Sequence, residues 1–172
     1  AFVTEFLSGT DIKSEDEKNL KFNVIQNDSL NIKMGGTNKL PNWNDLPIYL
    51  EDGSLNNKMV AVVCANEKRI INISNVYKTT KYKFEGTKEF DKKTKYFSKS
   101  MLVIPLINHE NEVIGVLQLI NKIKNKEIIS FDRFDEKVII SLASQAAMAL
   151  TNMQLIKSLE DFINKFEEIN KY

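Results

Sequence analysis

The feature that most constrains this chain is a pair of apolar runs in its second half. Met101 to Ile107 and Val113 to Ile120 flank the polar stretch Asn108-His109-Glu110-Asn111-Glu112. Two strand-length runs joined by five polar residues predict a β-hairpin with a longer turn. Both runs are apolar at odd and even positions alike, and successive side chains of a strand point to opposite faces. The two strands are therefore expected in the middle of a sheet, with helices covering both faces. Pro105 lacks a backbone donor, so it is expected at a bulge or an unpaired position.

The rest of the chain supplies the partners for that hairpin. Ala1 to Leu7 and Leu20 to Ile25 are short apolar stretches separated by the polar Gly9 to Asn19, the pattern of two strands joined by a solvated turn. From Asn27 to Asp52 the chain is punctuated by Gly35-Gly36, Pro41 and Pro47, with Gly53 just beyond, and is expected to be mostly loop. A loop of that length is itself a pointer to function or disorder. Ser54 is expected to cap a helix whose apolar positions are Leu55, Met59, Val62 and Val63, with Asn66 ending it. Arg69 to Ile73 reads as a further strand. Asn75 to Ser98 mixes aromatic and charged residues without a clean period.

After Ile128 the periodicity becomes that of a helix running almost to the end of the chain, through Val138, Leu142, Ala146, Ala149 and Met153. Small residues crowd its middle, suiting close approach to a sheet. Beyond Asn152 the apolar stripe narrows to Ile156, Leu159, Ile163 and Phe166, the 3-4-3 spacing of a coiled-coil seam, so a homodimer through paired helices is expected. The alternative is one long helix packing on its own domain.

Composition narrows the function classes. The 172 residues suit one domain with an appendage. The 24 basic and 23 acidic residues leave a net charge of +1, which argues against general nucleic-acid binding. One cysteine, Cys64, excludes an intrachain disulfide and makes a cytoplasmic setting the expectation. No uninterrupted apolar run approaches the roughly 20 residues of a membrane span, so no membrane association is expected. The chain opens at Ala1 with no basic leader region, and is expected to be a piece of a longer protein.

The series Ser100-Met101-Leu102-Val103-Ile104-Pro105-Leu106, then Val113-Ile114-Gly115-Val116-Leu117-Gln118-Leu119-Ile120-Asn121-Lys122, resembles the central hairpin of GAF domains. Phe131, three residues, and Asp135-Glu136 complete an N-K…F-x-x-x-D-E pattern similar to that of the GAF domains of cyclic nucleotide phosphodiesterases and related adenylyl cyclases. Ser144 to Leu150 resembles the closing helix. Ile25 to Leu30, Phe84 to Thr87 and Phe90 to Thr94 are similar to bacterial GAF domains that precede HD-type phosphohydrolase domains. The resemblance implies an α+β fold (an α/β sandwich). A mainly antiparallel sheet of about six strands would carry helices on both faces and a long C-terminal helix. It places the GAF domain at residues 1–155, without the helix that usually precedes the first strand, and a signalling helix at 156–172.

The resemblance further implies a small-molecule sensor, with a nucleotide or cyclic nucleotide as the expected ligand, relaying through the C-terminal helix to a covalently linked output domain such as an HD-type phosphohydrolase. Asn121, Lys122, Phe131, Asp135 and Glu136 are implied to be architectural, with Lys122 paired to Asp135. The ligand is expected beneath the segment from Asn75 to Lys99, where eight lysines face three carboxylates. Asn75, Val76, Tyr77, Phe84, Phe90, Asp91, Thr94, Tyr96 and Ser98 are the site candidates, because aromatics stack on a base while hydroxyls and amides read its edge. The competing reading makes the aromatics core and the lysines solvated surface. A structural dimerisation module with no ligand is the alternative function, and an enzyme of GAF fold a distant one. Cys64 is the only cysteine and is followed by Ala65, which disfavours a multi-cysteine reductase or bilin attachment. The only histidine, His109, falls in the hairpin turn, away from any haem pocket. No metal set or catalytic triad can be assembled from these residues, so catalysis by this chain is not expected.

Overall fold

The computed structural model describes residues 3–9, 19–35, 39 and 43–169, with the side chains of 3–9 and 23 outside the description. The turn expected between the first two strands lies mostly in 10–18, outside the described residues, as do Gly36 and Pro41. The strands on either side of that turn are present. β1 (Val3–Gly9) pairs antiparallel with β2 (Asn19–Asn27), Thr4 opposite Gln26 and Gly9 opposite Leu20.

The region expected to be loop contains two more short strands, β3 (Ile32–Gly35) and β4 (Leu46–Pro47), both paired with β2. Next come α1 (Val60–Glu67), β5 (Ile71–Ile73) and α2 (Glu85–Thr94). The hairpin follows as β6 (Met101–Ile107) and β7 (Val113–Ile120), joined by the expected five residues. A small ribbon of β8 (Lys122–Lys124) and β9 (Glu127–Ile129) leads into α3 (Arg133–Ile169). The main sheet runs β3-β2-β1-β7-β6-β5, and β4 makes it seven-stranded rather than about six.

β6 and β7 lie side by side, with β1 and β5 outside them. Every residue from Met101 to Leu106 is buried. Met101 and Val103 turn towards α1, in a cluster with Val62, Val63, Ile71, Ile73, Val76 and Phe84. Leu102, Ile104 and Leu106 turn the other way, towards Phe131, Ala143 and Ala147. The uninterrupted apolar run is thus two cores written into one strand. Pro105 lies beyond the β5 pairing, which stops at Val103, and just before the register shift at Leu106/Ile107.

α1 corrects the expected helix start. It begins at Val60, not after Ser54, whose N–H and hydroxyl both bond the Asp52 carboxylate at 2.9 and 2.6 Å. From Val60 to Ala65 every residue is buried, so the helix has no polar face from which a period could be read. It ends one residue past Asn66, with Lys68 taking the left-handed conformation at φ 49°. Cys64 sits inside it, its thiol donating to the Arg69 carbonyl at 3.3 Å, and burial pushes the thiol up to about 12.

α3 is 37 residues long and meets the sheet only through its first half, where Ala143 and Ala147 are buried. Alanine at those turns lets the helix approach β6 closely. From Asn152 to Ile169 every residue is exposed. One 18-residue stretch of this helix is apolar enough on average to match a membrane span by length and composition, although no apolar run in it is unbroken.

Candidate functional site

The segment between β5 and β6 positions the site candidates. Asn75 opens a turn by accepting the Tyr77 N–H at 2.9 Å, and the Val76 N–H bonds the Lys99 carbonyl at 2.9 Å, so the segment leaves and returns at one place on the sheet. α2 lies inside this excursion with left-handed residues at both ends, Phe84 at φ 43° and Lys95 at φ 57°. A bulky residue is strained there by about 1–3 kcal/mol, and the fully buried Phe84 ring holds it in place. At Gly86 a β-carbon would lie 2.2 Å from the Met59 sulfur and 3.2 Å from the Lys58 carbonyl oxygen, so any other residue must displace the Met59 side chain.

α2 buries only Thr87 and Asp91, and its contacts with the other elements are sparse. Its main anchor is one carboxylate. Asp91 is 4% exposed and accepts the Ser98 N–H at 2.7 Å, the Ser98 hydroxyl at 2.7 Å and the Tyr77 hydroxyl at 2.6 Å. Desolvation first, and the Asp91 carboxylate second, push the Tyr77 phenol up to about 12. The Tyr77 ring stacks on Phe97 at 4.9 Å.

The nine site candidates thus divide. Tyr77, Asp91 and Ser98 converge on one hydrogen-bonded group. Val76 and Phe84 are in the core and fully buried. Thr94 donates to the Phe90 carbonyl at 2.9 Å, and Tyr96 accepts from Asn121 at 3.0 Å. Phe90 meets Trp43 edge-on at 5.1 Å, and Trp43 meets Phe22 of β2 at 5.3 Å. Trp43 and Phe22 escaped the sequence reading. They lie far from Phe90 along the chain, and the one usable signal was the single tryptophan among the polar neighbours Asn42, Asn44 and Asp45.

The second group of named residues braces the other end of the hairpin. Asn121, at φ 60° and 4% exposed, accepts the Lys99 N–H at 2.8 Å and the Ser100 N–H at 3.3 Å, and donates to the Phe97 carbonyl at 2.7 Å. Lys122 is ion-paired with Asp135, and with Asp132 at 3.0 Å. Asp132 caps α3 by accepting the Phe134 and Asp135 N–H groups, while Asp135 accepts the Asp132 N–H, a reciprocal capping box. The Asp135 and Asp132 hydrogen bonds raise the Lys122 pKa. The Asp135 N–H, then Lys122, hold Asp132 below the usual carboxylate range. Glu136 accepts from Asn72 at 2.6 Å, tying α3 to β5, and Phe131 is buried under the same face.

A family model described as the GAF domain matches residues 34–150, well over half of the chain. The chain belongs to the GAF domain family. Solved structures agree on the fold. A methyl-accepting chemotaxis protein (residues 122 to 287) is similar with a TM-score of 0.59 at 19% identity, covering 90% of this chain and 80% of that one. The GAF domain of an Acinetobacter phosphoenolpyruvate-protein phosphotransferase is similar with a TM-score of 0.50 at 14% identity, covering 91% of this chain and 74% of that one. Among curated proteins, the dual 3',5'-cyclic-AMP and -GMP phosphodiesterase 11A of Takifugu rubripes is 32% identical over 120 residues. The cGMP-specific 3',5'-cyclic phosphodiesterase of Drosophila erecta is 31% identical over 101 residues. These alignments cover 70% and 57% of this chain but only 12% and 9% of those proteins.

His109 is exposed in the hairpin turn, and the described residues contain no cluster of three or more metal-ligating side chains. Two clefts of the described surface are lined by residues outside the Asp91 group. One of about 510 Å³ beside the start of α2 is lined by Lys58, Glu67, Tyr82 and Glu85, and one of about 350 Å³ lies between the β6 edge and α3.

Proposed function

We propose that this GAF domain is a small-molecule sensor in which α2 is the lid, a nucleotide or cyclic nucleotide is the ligand, and α3 carries the response to a linked output domain. The observation that carries this reading is the Asp91 latch. α2 buries few of its own residues and is held chiefly by one buried carboxylate and by the Phe84 ring at its start, so breaking the Asp91 bonds is the step that would release it. Opening frees an acceptor, two hydroxyls and the aromatic faces of Trp43 and Phe90, the groups that a base and its sugar require. The ligand class is drawn from the phosphodiesterase relatives. An HD-type phosphohydrolase is the proposed output, with residues 1–155 as the sensor and 156–172 as the connecting helix.

Relay requires that the ligand and the helix pair bias the same two-state element. The link from lid to helix is short. Ser98 at the latch precedes Lys99 and Ser100, whose N–H groups Asn121 holds, and Lys122 next to Asn121 grips the cap of α3. We propose that α3 pairs with a second copy through Ile156, Leu159, Ile163 and Phe166, all more than half exposed here. A ligand-free dimerisation module is the second reading. It draws on the mutual satisfaction of Asp91, Ser98 and Tyr77, which need no ligand to be paired.

Thermal melting against a panel of cyclic nucleotides, nucleotides and small metabolites separates the two. A ligand present at 100 times its dissociation constant adds about 2.7 kcal/mol of stability. Stabilisation that disappears in Asp91→Asn supports the sensor. An unmoved melting temperature with every compound, in a protein that is dimeric regardless, leaves the structural module.

A further inference from the structure

The main sheet ends at β5, which pairs with β6 over Ile71–Ile73 and has no strand on its outer side among the described residues. A cleft of about 370 Å³ runs along that outer edge from Arg69 to Asn75, and its far wall is the turn bearing Lys78, Thr79, Lys81 and Tyr82. No backbone hydrogen bond among the described residues crosses from that turn to Ile71–Ile73. An edge with open N–H and C=O groups beside a cleft is the geometry by which an extended peptide joins a sheet.

The lining has one sign of charge. Arg69, Lys78 and Lys81 face the cleft and no carboxylate does. Two of these cations are held in place by an aromatic ring, Arg69 at 5.8 Å and Lys81 at 5.4 Å from the Tyr82 centroid. Glu67 lies outside the lining and is engaged by Arg69 and the Tyr82 hydroxyl. Ile71 and Ile73 are buried in the core, and Asn72 bonds the Phe131 carbonyl and Glu136. β5 therefore offers an arriving strand its main chain, and the turn offers it positive charge. Two copies of this edge would bring like charges together, which disfavours pairing with itself.

We propose that the β5 cleft is a strand-addition site for an extended acidic polypeptide segment. Its main chain pairs with Ile71–Ile73, and its carboxylates meet Lys78, Lys81 and Arg69. This site lies outside α2 itself, although the turn that forms its far wall also carries Tyr77, which donates to Asp91.

The test uses the isotope-labelled chain and a capped peptide of about seven residues alternating glutamate and valine, long enough to span the cleft at about 3.3 Å per residue. The expected result is shifted resonances at Ile71–Ile73 and slowed exchange at those of their N–H groups that face away from β6, with binding weakened at least tenfold in the double variant Lys78→Glu/Lys81→Glu. Both lysines are exposed, and an otherwise unchanged amide spectrum verifies that the variant is folded. A central proline in the peptide removes a donor and should abolish the effect, as should replacing its glutamates by lysines. Unmoved β5 amides at on the order of 1 mM peptide overturn the proposal. So do shifts confined to another surface, or binding that survives the double charge reversal or the proline.

Discussion

Asn121 ends β7 in a left-handed conformation and uses both ends of its amide on the entry to β6. Replacing it with alanine leaves the Lys99 and Ser100 N–H groups without their acceptor and puts at φ 60° a residue that tolerates the left-handed region less well than asparagine. The expected loss is about 2–4 kcal/mol in urea denaturation. The Lys122 cluster predicts a pH dependence. Asp132 is depressed, so its contribution is complete above its unfolded value of 3.8 and is lost as the pH falls through the lower folded value. Lys122 is raised, so its contribution is complete below 10.5 and is lost as the pH rises through the higher folded value. In Lys122→Met, read as melting temperature against pH at low salt, the alkaline dependence should vanish while the acidic one is reduced only in part, because the Asp135 N–H still bonds Asp132. Cys64 gives a simpler test. Its buried thiol should resist alkylation at pH 8 in the native protein and react on unfolding, and ready native labelling would contradict its placement. At this scale the sequence named Tyr77, Asp91 and Ser98, but not that they bond to one another, because nothing in spacing distinguishes a ligand contact from an internal one.

Among the elements, those with strong apolar patterns were legible and those without were not. The hairpin was readable to the residue because polar residues bound two fully buried strands. α1 was recognised but its start was misplaced, since a helix buried on every side has no period and Ser54 was spent on Asp52. α2 was invisible because its inward residues are Thr87 and Asp91, so it has no apolar stripe. Packing around it predicts sensitivity at Gly86, whose N–H bonds the Lys58 carbonyl at 3.1 Å. Gly86→Ala must displace the Met59 side chain, with an expected cost of about 1–3 kcal/mol. In α3 the exposed seam predicts that Ile156→Asp with Ile163→Asp converts dimers to monomers in light scattering; dimers that persist would refute the seam.

For the whole molecule, one sheet separates two tasks. The α1 face carries the aromatic group of Phe22, Trp43 and Phe90 that meets α2, while the opposite face receives α3. The fold and family were legible because the hairpin and the N-K…F-x-x-x-D-E residues fix the middle of the sheet. The proposed ligand was not, because Tyr77, Asp91 and Ser98, named as residues to read it, bond one another. Trp43 is the only tryptophan and bridges β2 and α2, so its emission would report a movement of α2. Titrating the chain with cyclic GMP, cyclic AMP and a metabolite panel while following that emission tests the sensor most directly. A saturable change with one ligand, lost in Asp91→Asn, is the predicted result. An emission indifferent to every compound would contradict it.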